Sequence, residues 1–114
     1  MVTPSAGSIV TVPIPFSDLS SSKLRPAVVL AYAGQEDWIL CQITSNVYAD
    51  AHAIQLEDDD FASGSLSRIS FARPGKIFTA HESLMVMHVG RLDNEVLRRI
   101  SNAVIEMLRA DLPL

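Results

Sequence analysis

The run Ile9 to Ile14 is β-branched and apolar, and Pro13 and Pro15 punctuate its far end. Val, Ile and Thr suit a pleated surface, whereas proline, lacking an N–H, is confined to a strand's edge or end. The stretch therefore predicts a short strand ending at the rim of a sheet. Behind it, Ser17-Asp18-Leu19-Ser20-Ser21-Ser22 has few apolar side chains to bury and reads as a mobile loop. Lys23 and Arg25 follow, two residues apart and directly before Pro26. The proline pushes its neighbour out of the helical region, so Arg25 is held extended at the mouth of a second strand, Ala27 to Tyr32. A fixed cation beside a serine-rich flap suits a phosphate.

The rest of the chain continues in short units. Gly34-Gln35-Glu36-Asp37 has hairpin-turn composition, and Trp38 to Thr44 reads as a third strand. Ser45 to Ala51 is a loop, Ala53 to Leu56 a short strand, and Glu57 to Phe61 one helical turn before Ala62-Ser63-Gly64. Leu66 to Ala72 and Lys76 to Ala80 read as strands around Arg73-Pro74-Gly75-Lys76. Pro then Gly at its centre suits a type II turn, which would bring Arg73 and Lys76 within about 7 Å. Leu84 to Val89 is the last strand, broken by Gly90.

Beyond it the hydrophobic period changes. Asp93 can cap a helix, with Glu95 in the favourable first turn. Leu97, Ile100, Val104, Met107 and Leu108 fall on one face, and Pro113 ends the helix. Many short strands and one closing helix predict a strongly curved sheet with the helix packed on its edge.

A length of 114 residues, 48% of them hydrophobic, indicates one globular domain. No apolar run reaches membrane length and no basic-then-apolar leader opens the chain, so the expected location is cytoplasmic. The single Cys41 lies in the apolar run Trp38 to Ile43 and reads as a small core residue.

The net charge of −4 argues against a general polyanion binder. Its distribution is more telling. Glu57-Asp58-Asp59-Asp60 carries four negative charges, whereas Lys23, Arg25, Arg68, Arg73 and Lys76 fall in two segments. Such a protein suits a short nucleic-acid segment rather than a coated duplex. Arg68 reads equally as a solvated surface charge.

No Cys or His pair stands at metal-ligand spacing, and there is no phosphate-binding glycine loop or Gly-x-Ser-x-Gly elbow. The acidic run on one turn points outward, so neither metal nor cofactor is expected. RNA offers a route without either, because its own 2′-hydroxyl can attack the adjacent phosphate. Arg25 suits charge stabilisation, since a guanidinium forks onto two phosphate oxygens yet hardly ever gives up its proton. The plain alternative is a surface arginine. Thr44, Ser45 and Asn46 gather hydroxyl and amide groups where a strand turns; they equally serve the turn's own backbone. His81 and His88 are candidate bases on intrinsic grounds. Phe16 and Tyr48 are candidate base-stacking aromatics, with Phe16 better suited to anchoring its loop.

Four segments, taken in order, resemble the MazF/PemK toxins of bacterial toxin–antitoxin pairs. They are Gly7 to Leu30, with its Lys23-x-Arg25-Pro26; CQITSN from Cys41 to Asn46; SFARPGKIFT from Ser70 to Thr79; and VGRL from Val89 to Leu92. The resemblance implies a mainly β fold with a C-terminal helix: an SH3-like, PemK-like barrel that forms a homodimer. A mean hydropathy of +0.24 is consistent with an apolar face covered in such a dimer. It further implies a metal-independent endoribonuclease that cuts single-stranded RNA, chiefly mRNA, leaving 2′,3′-cyclic phosphate and 5′-hydroxyl ends. Arg25 and Thr44 take the catalytic positions, and Lys23, Ser20, Ser45, Asn46, Arg73 and Lys76 contact RNA. Ser70 matches a serine common in the family's fifth-strand segment. The implied partner is a MazE-like antitoxin, encoded nearby, with an acidic and partly disordered tail.

Two alternatives share this fold. One is a CcdB-like toxin that binds gyrase without cutting nucleic acid, although Ala110-Asp111-Leu112-Pro113-Leu114 resembles no such C-terminal ending. The other is a catalytically degenerate relative.

Overall fold

The computed structural model describes residues 2–15, 21–47 and 49–114, and among these seven antiparallel strands and one long helix form the framework. In order these are β1 (Ser8–Pro15), β2 (Ser22–Gly34), β3 (Asp37–Thr44), β4 (Ile54–Leu56), β5 (Phe61–Gly64), β6 (Ser70–His81), β7 (Met87–Leu92) and α1 (Asn94–Ala110). The strands form one sheet in the order β4-β6-β3-β2-β1-β7-β5. Its two edge strands, β4 and β5, are consecutive in the chain and joined only by residues 57–60. Six inter-strand spacings would part the edges of a flat sheet by roughly 29 Å. The five steps from Leu56 to Phe61 reach about 18 Å at most. The sheet must curl until its edges approach, and the result is a barrel-like fold.

Curling buries both faces of the central strands. Ile9, Val28, Cys41 and Ile43 join Leu56, Ala72, Leu92, Val96 and Ile100 in the main core. Their sequence neighbours Val10, Ala27, Val29 and Leu40 point the other way, into a second cluster with Val12, Ala80 and Met85. This explains why the strands read as continuous apolar runs rather than alternating ones. Cys41 is fully buried, its thiol donates to the Arg73 carbonyl at 3.1 Å, and burial pushes its pKa up to about 12. Val96 and Ile100 belong to the main core, and α1 packs chiefly against β6, beside the edge strand β4. Leu108 departs from the expected stripe and is 64% exposed. Asp93 occupies the N-cap position, but its side chain makes no capping hydrogen bond.

Several boundaries shift, each for a packing reason. Arg73-Pro74-Gly75-Lys76 does not reverse the chain. β6 runs through it, pairing Ala72 with Ile43 and Ile77 with Cys41, so the four residues form a long bulge. Pro74 is fully buried there, and Met107 of α1 packs over Gly75. Lys23 and Arg25 lie inside β2, opposite Ile14 and Val12, rather than ahead of a strand. Glu57 to Phe61 supplies the expected turn as a 3₁₀ segment, Asp58–Asp60, but Phe61–Gly64 behind it is a strand. β7 starts at Met87 and runs through Gly90.

Gly90 pairs with Gly64 across the β5–β7 seam, where the backbones nearly touch. A Cβ at Gly64 would stand 2.3 Å from the Val89 carbonyl oxygen, and the residue has a φ of +69°. Both conditions demand glycine. Gly64→Ala is therefore expected to lower stability by about 2–3 kcal/mol, the upper range for a strained backbone position. Equilibrium denaturation, with the m-value unchanged, checks it.

Candidate functional site

The hairpin of β2 and β3 places the two principal candidates. Gln35 and Glu36 form its two-residue loop, with φ of +54° and +65°, as a type I′ turn requires. From the turn alone, Gly34 opposite Asp37, Arg25 would face Asn46. Two register irregularities, between Val29 and Ala31 and between Tyr32 and Gly34, move the pairing by two residues. Beyond them Ala27 pairs with Gln42, the last pair of the ladder, and in that register Arg25 falls level with Thr44 just past its end. Side chains directly opposite on neighbouring strands share a face.

Both line one cleft of about 240 Å³, together with Thr11, Pro26, Ile43, Ser45, Leu66, Ser67, Arg68, Ser70 and Val89. β7 and β3 are separated by two intervening strands, yet Val89 and Ile43 both reach this cleft because the sheet is curled. Arg25 is half-buried, and its guanidinium has no ion-pair or hydrogen-bond partner among the described residues. Thr44 is 9% exposed, and its hydroxyl oxygen accepts the Asn46 backbone N–H at 3.1 Å. The turn-stabilising role foreseen for Thr44 is thus real, but it uses only a lone pair. The hydroxyl hydrogen remains able to donate into the cleft. Among the described residues the lining contains no carboxylate and no imidazole, so its polar chemistry is cationic and hydroxylic.

The other candidates divide. Ser45 lines the cleft, and Asn46 follows it at the surface. Lys23 is exposed two residues from Arg25 and so lies on the same face of β2. Ser20, with Phe16 and Tyr48, lies outside the described residues. Arg73 and Lys76 do not join the cleft. The Arg73 Nε donates to Asp50 Oδ2 at 2.9 Å, in a pair with side chains only 20% and 13% exposed. Lys76 lines a separate, mostly apolar groove with Val12, Phe78 and Leu84. Neither His81 nor His88 lines the cleft. His81 Nδ1 accepts the Ser83 backbone N–H, its Nε2 lies 3.5 Å from Glu36, and His88 is exposed opposite Val10 on β7. Sequence reasoning missed Thr11 and Ser67 and left Arg68 without a role. The only signal was the polar cluster from Ser65 to Ser70, with no hint that it returns to β2.

The chain thus has the architecture of a small, curled β fold with a C-terminal helix and an arginine–hydroxyl cleft. Solved structures share that architecture across almost all of both chains. MazE–MazF from Deinococcus radiodurans (form III) superposes with a TM-score of 0.75 at 17% identity, covering 95% of this chain and 98% of that one. Mycobacterium tuberculosis toxin MazF-mt6 gives 0.69 at 16%, covering 92% and 99%. An endoribonuclease in complex with its cognate antitoxin, from a mycobacterial species, gives 0.68 at 13%, covering 99% and 100%. At such identities these likenesses establish the fold. A comparison with curated proteins gives no match. The family model described as PemK-like, MazF-like toxin of type II toxin–antitoxin system matches residues 5–108. The chain belongs to that family.

The Asp50–Arg73 pair ties the loop that follows Thr44 to β6. The Arg73 guanidinium, and after it the His52 backbone N–H, hold the Asp50 carboxyl below its usual pKa. A lowered carboxyl pKa contributes stability that is complete above the unfolded value of about 3.9 and is lost as pH falls through the lower folded value. Asp50→Asn should therefore lower Tm at neutral pH, with a gap from wild type that is flat down to about pH 5 and closes below about pH 4. Thermal melts of both proteins across that range test this.

Proposed function

We propose that the chain is the toxin of a type II toxin–antitoxin pair and acts as an endoribonuclease on single-stranded RNA, chiefly mRNA. The observation that carries this reading is the half-buried Arg25 guanidinium, without a partner among the described residues, lining the same polar cleft as Thr44. Arg25 grips two non-bridging oxygens of the scissile phosphate, and the Thr44 hydroxyl donates to one of them. The RNA 2′-oxygen attacks phosphorus and gives up its proton to solvent. The 5′-oxygen leaves and takes a proton from solvent. The products are a 2′,3′-cyclic phosphate and a 5′-hydroxyl. Donors fixed where negative charge accumulates act mainly on the transition state. Lys23, on the same face of β2, extends the cationic surface along the strand, and Ser45 and Asn46 extend its polar rim.

Further support comes from the family itself and from solved structures of the same fold, one of an endoribonuclease in complex with its cognate antitoxin and another of a MazE–MazF assembly. By this reading the protein works in the cytoplasm as a homodimer and is held inactive by an acidic, MazE-like antitoxin. Among the described residues, no helix is long and apolar enough to cross a membrane.

Cleavage of a long single-stranded RNA in EDTA, with the ends mapped, tests the proposal. Wild type should cut and leave 5′-hydroxyl ends. Arg25→Ala should lose about 10²–10³-fold in kcat, the usual cost of one preorganised oxyanion donor. Thr44→Ala should lose about tenfold or more, the scale of one hydrogen bond to a charged group. Folded wild-type protein that leaves the RNA intact would sink the proposal.

A further inference from the structure

Arg68 is the second guanidinium on the cleft, and nothing in the family resemblance gave it work. Its backbone is fixed from both sides. Leu66 packs against the main core, and Ser70, only 4% exposed, donates its hydroxyl to the Arg68 carbonyl oxygen at 3.1 Å. The side chain itself is exposed and has no ion-pair or hydrogen-bond partner among the described residues. This holds even though Arg68 also lines an adjoining pocket of about 380 Å³ with Glu57, Asp58 and Asp59. The residues Leu66, Ser67 and Arg68 belong to both cavities and form the ridge between them.

We infer that Arg68 holds a second backbone phosphate of the bound strand, next to the one gripped by Arg25, and that Ser70 is its positioning residue. The inference rests on the reading of the cleft as an RNA site. A single-stranded polyanion leaving Arg25 across this wall has Arg68 as the cation on its path. The carboxylates beyond the ridge repel its backbone, so phosphate contact stops at Arg68. A guanidinium on an anchored backbone loses less freedom on binding than one on a loose loop.

The test is binding of a short, fluorescent, 2′-O-methylated oligoribonucleotide, which cannot be cleaved, as a function of salt. Each phosphate contact on a single strand contributes about 0.7 to the slope of log K against log salt. Arg68→Ala should weaken binding about tenfold at low salt and reduce the slope by about 0.7, and Arg68→Lys should restore the slope. Ser70→Ala should weaken binding in the wild-type background and have no further effect in Arg68→Ala, a coupling that a general packing defect would not produce. An Arg68→Ala slope equal to wild type, while Arg25→Ala lowers it, would overturn the inference and leave the cleft's function standing. If wild type itself does not bind, the RNA reading and this inference fall together.

Discussion

The four-residue link between the two edge strands is the constraint on which the rest depends. Because residues 57–60 cannot span a flat seven-stranded sheet, β4 and β5 must be drawn toward each other. That curl makes one enclosed core beneath α1. It also brings Val89 of β7 and the segment preceding β6 around to the ends of β2 and β3. The Gly64–Gly90 contact is a close backbone approach between the neighbouring strands β5 and β7, where neither backbone tolerates a side chain. The cleft is a product of closure, and no single strand or hairpin contains it.

Electrostatics then sort the basic residues by what stands next to them. Arg73 is satisfied by Asp50, which fastens the loop after Thr44 to the sheet. Arg25 and Arg68 have no such partners among the described residues and share a cleft whose described lining lacks any carboxylate. A guanidinium with a structural counter-ion has little left to offer a ligand, whereas one left half-buried without a partner gains most from an arriving phosphate. In a protein of net charge −4, attraction for a polyanion is therefore local. The acidic run at Glu57–Asp59, lining the neighbouring pocket, sharpens that locality.

Local patterns carried much of this. The β-branched opening run, the Gly34–Asp37 turn and the amphipathic terminal segment matched β1, the hairpin and α1, because propensity and packing agree there. Where local chemistry and packing disagree, packing prevailed. Pro74-Gly75 has turn composition but is absorbed as a bulge, because burial of Pro74 and the contact with Met107 favour a continuous strand. Gly90 has breaker composition but serves a close backbone approach. Arg73 and Arg68 look alike in sequence, and only the neighbours brought in by folding distinguish them.

The sequence by itself determined which segments are strands at the centre of the fold. It also held Arg25 extended before Pro26 and put a hydroxyl at the end of the third strand, since each of these follows from local sterics and side-chain chemistry. Only the tertiary structure decided that Arg25 and Thr44 meet in one cleft. The turn alone would have set Arg25 opposite Asn46, and two bulges between β2 and β3 supply the difference. A strand's register depends on the partner it pairs with and on how both strands bend around a shared core, and no local pattern encodes it.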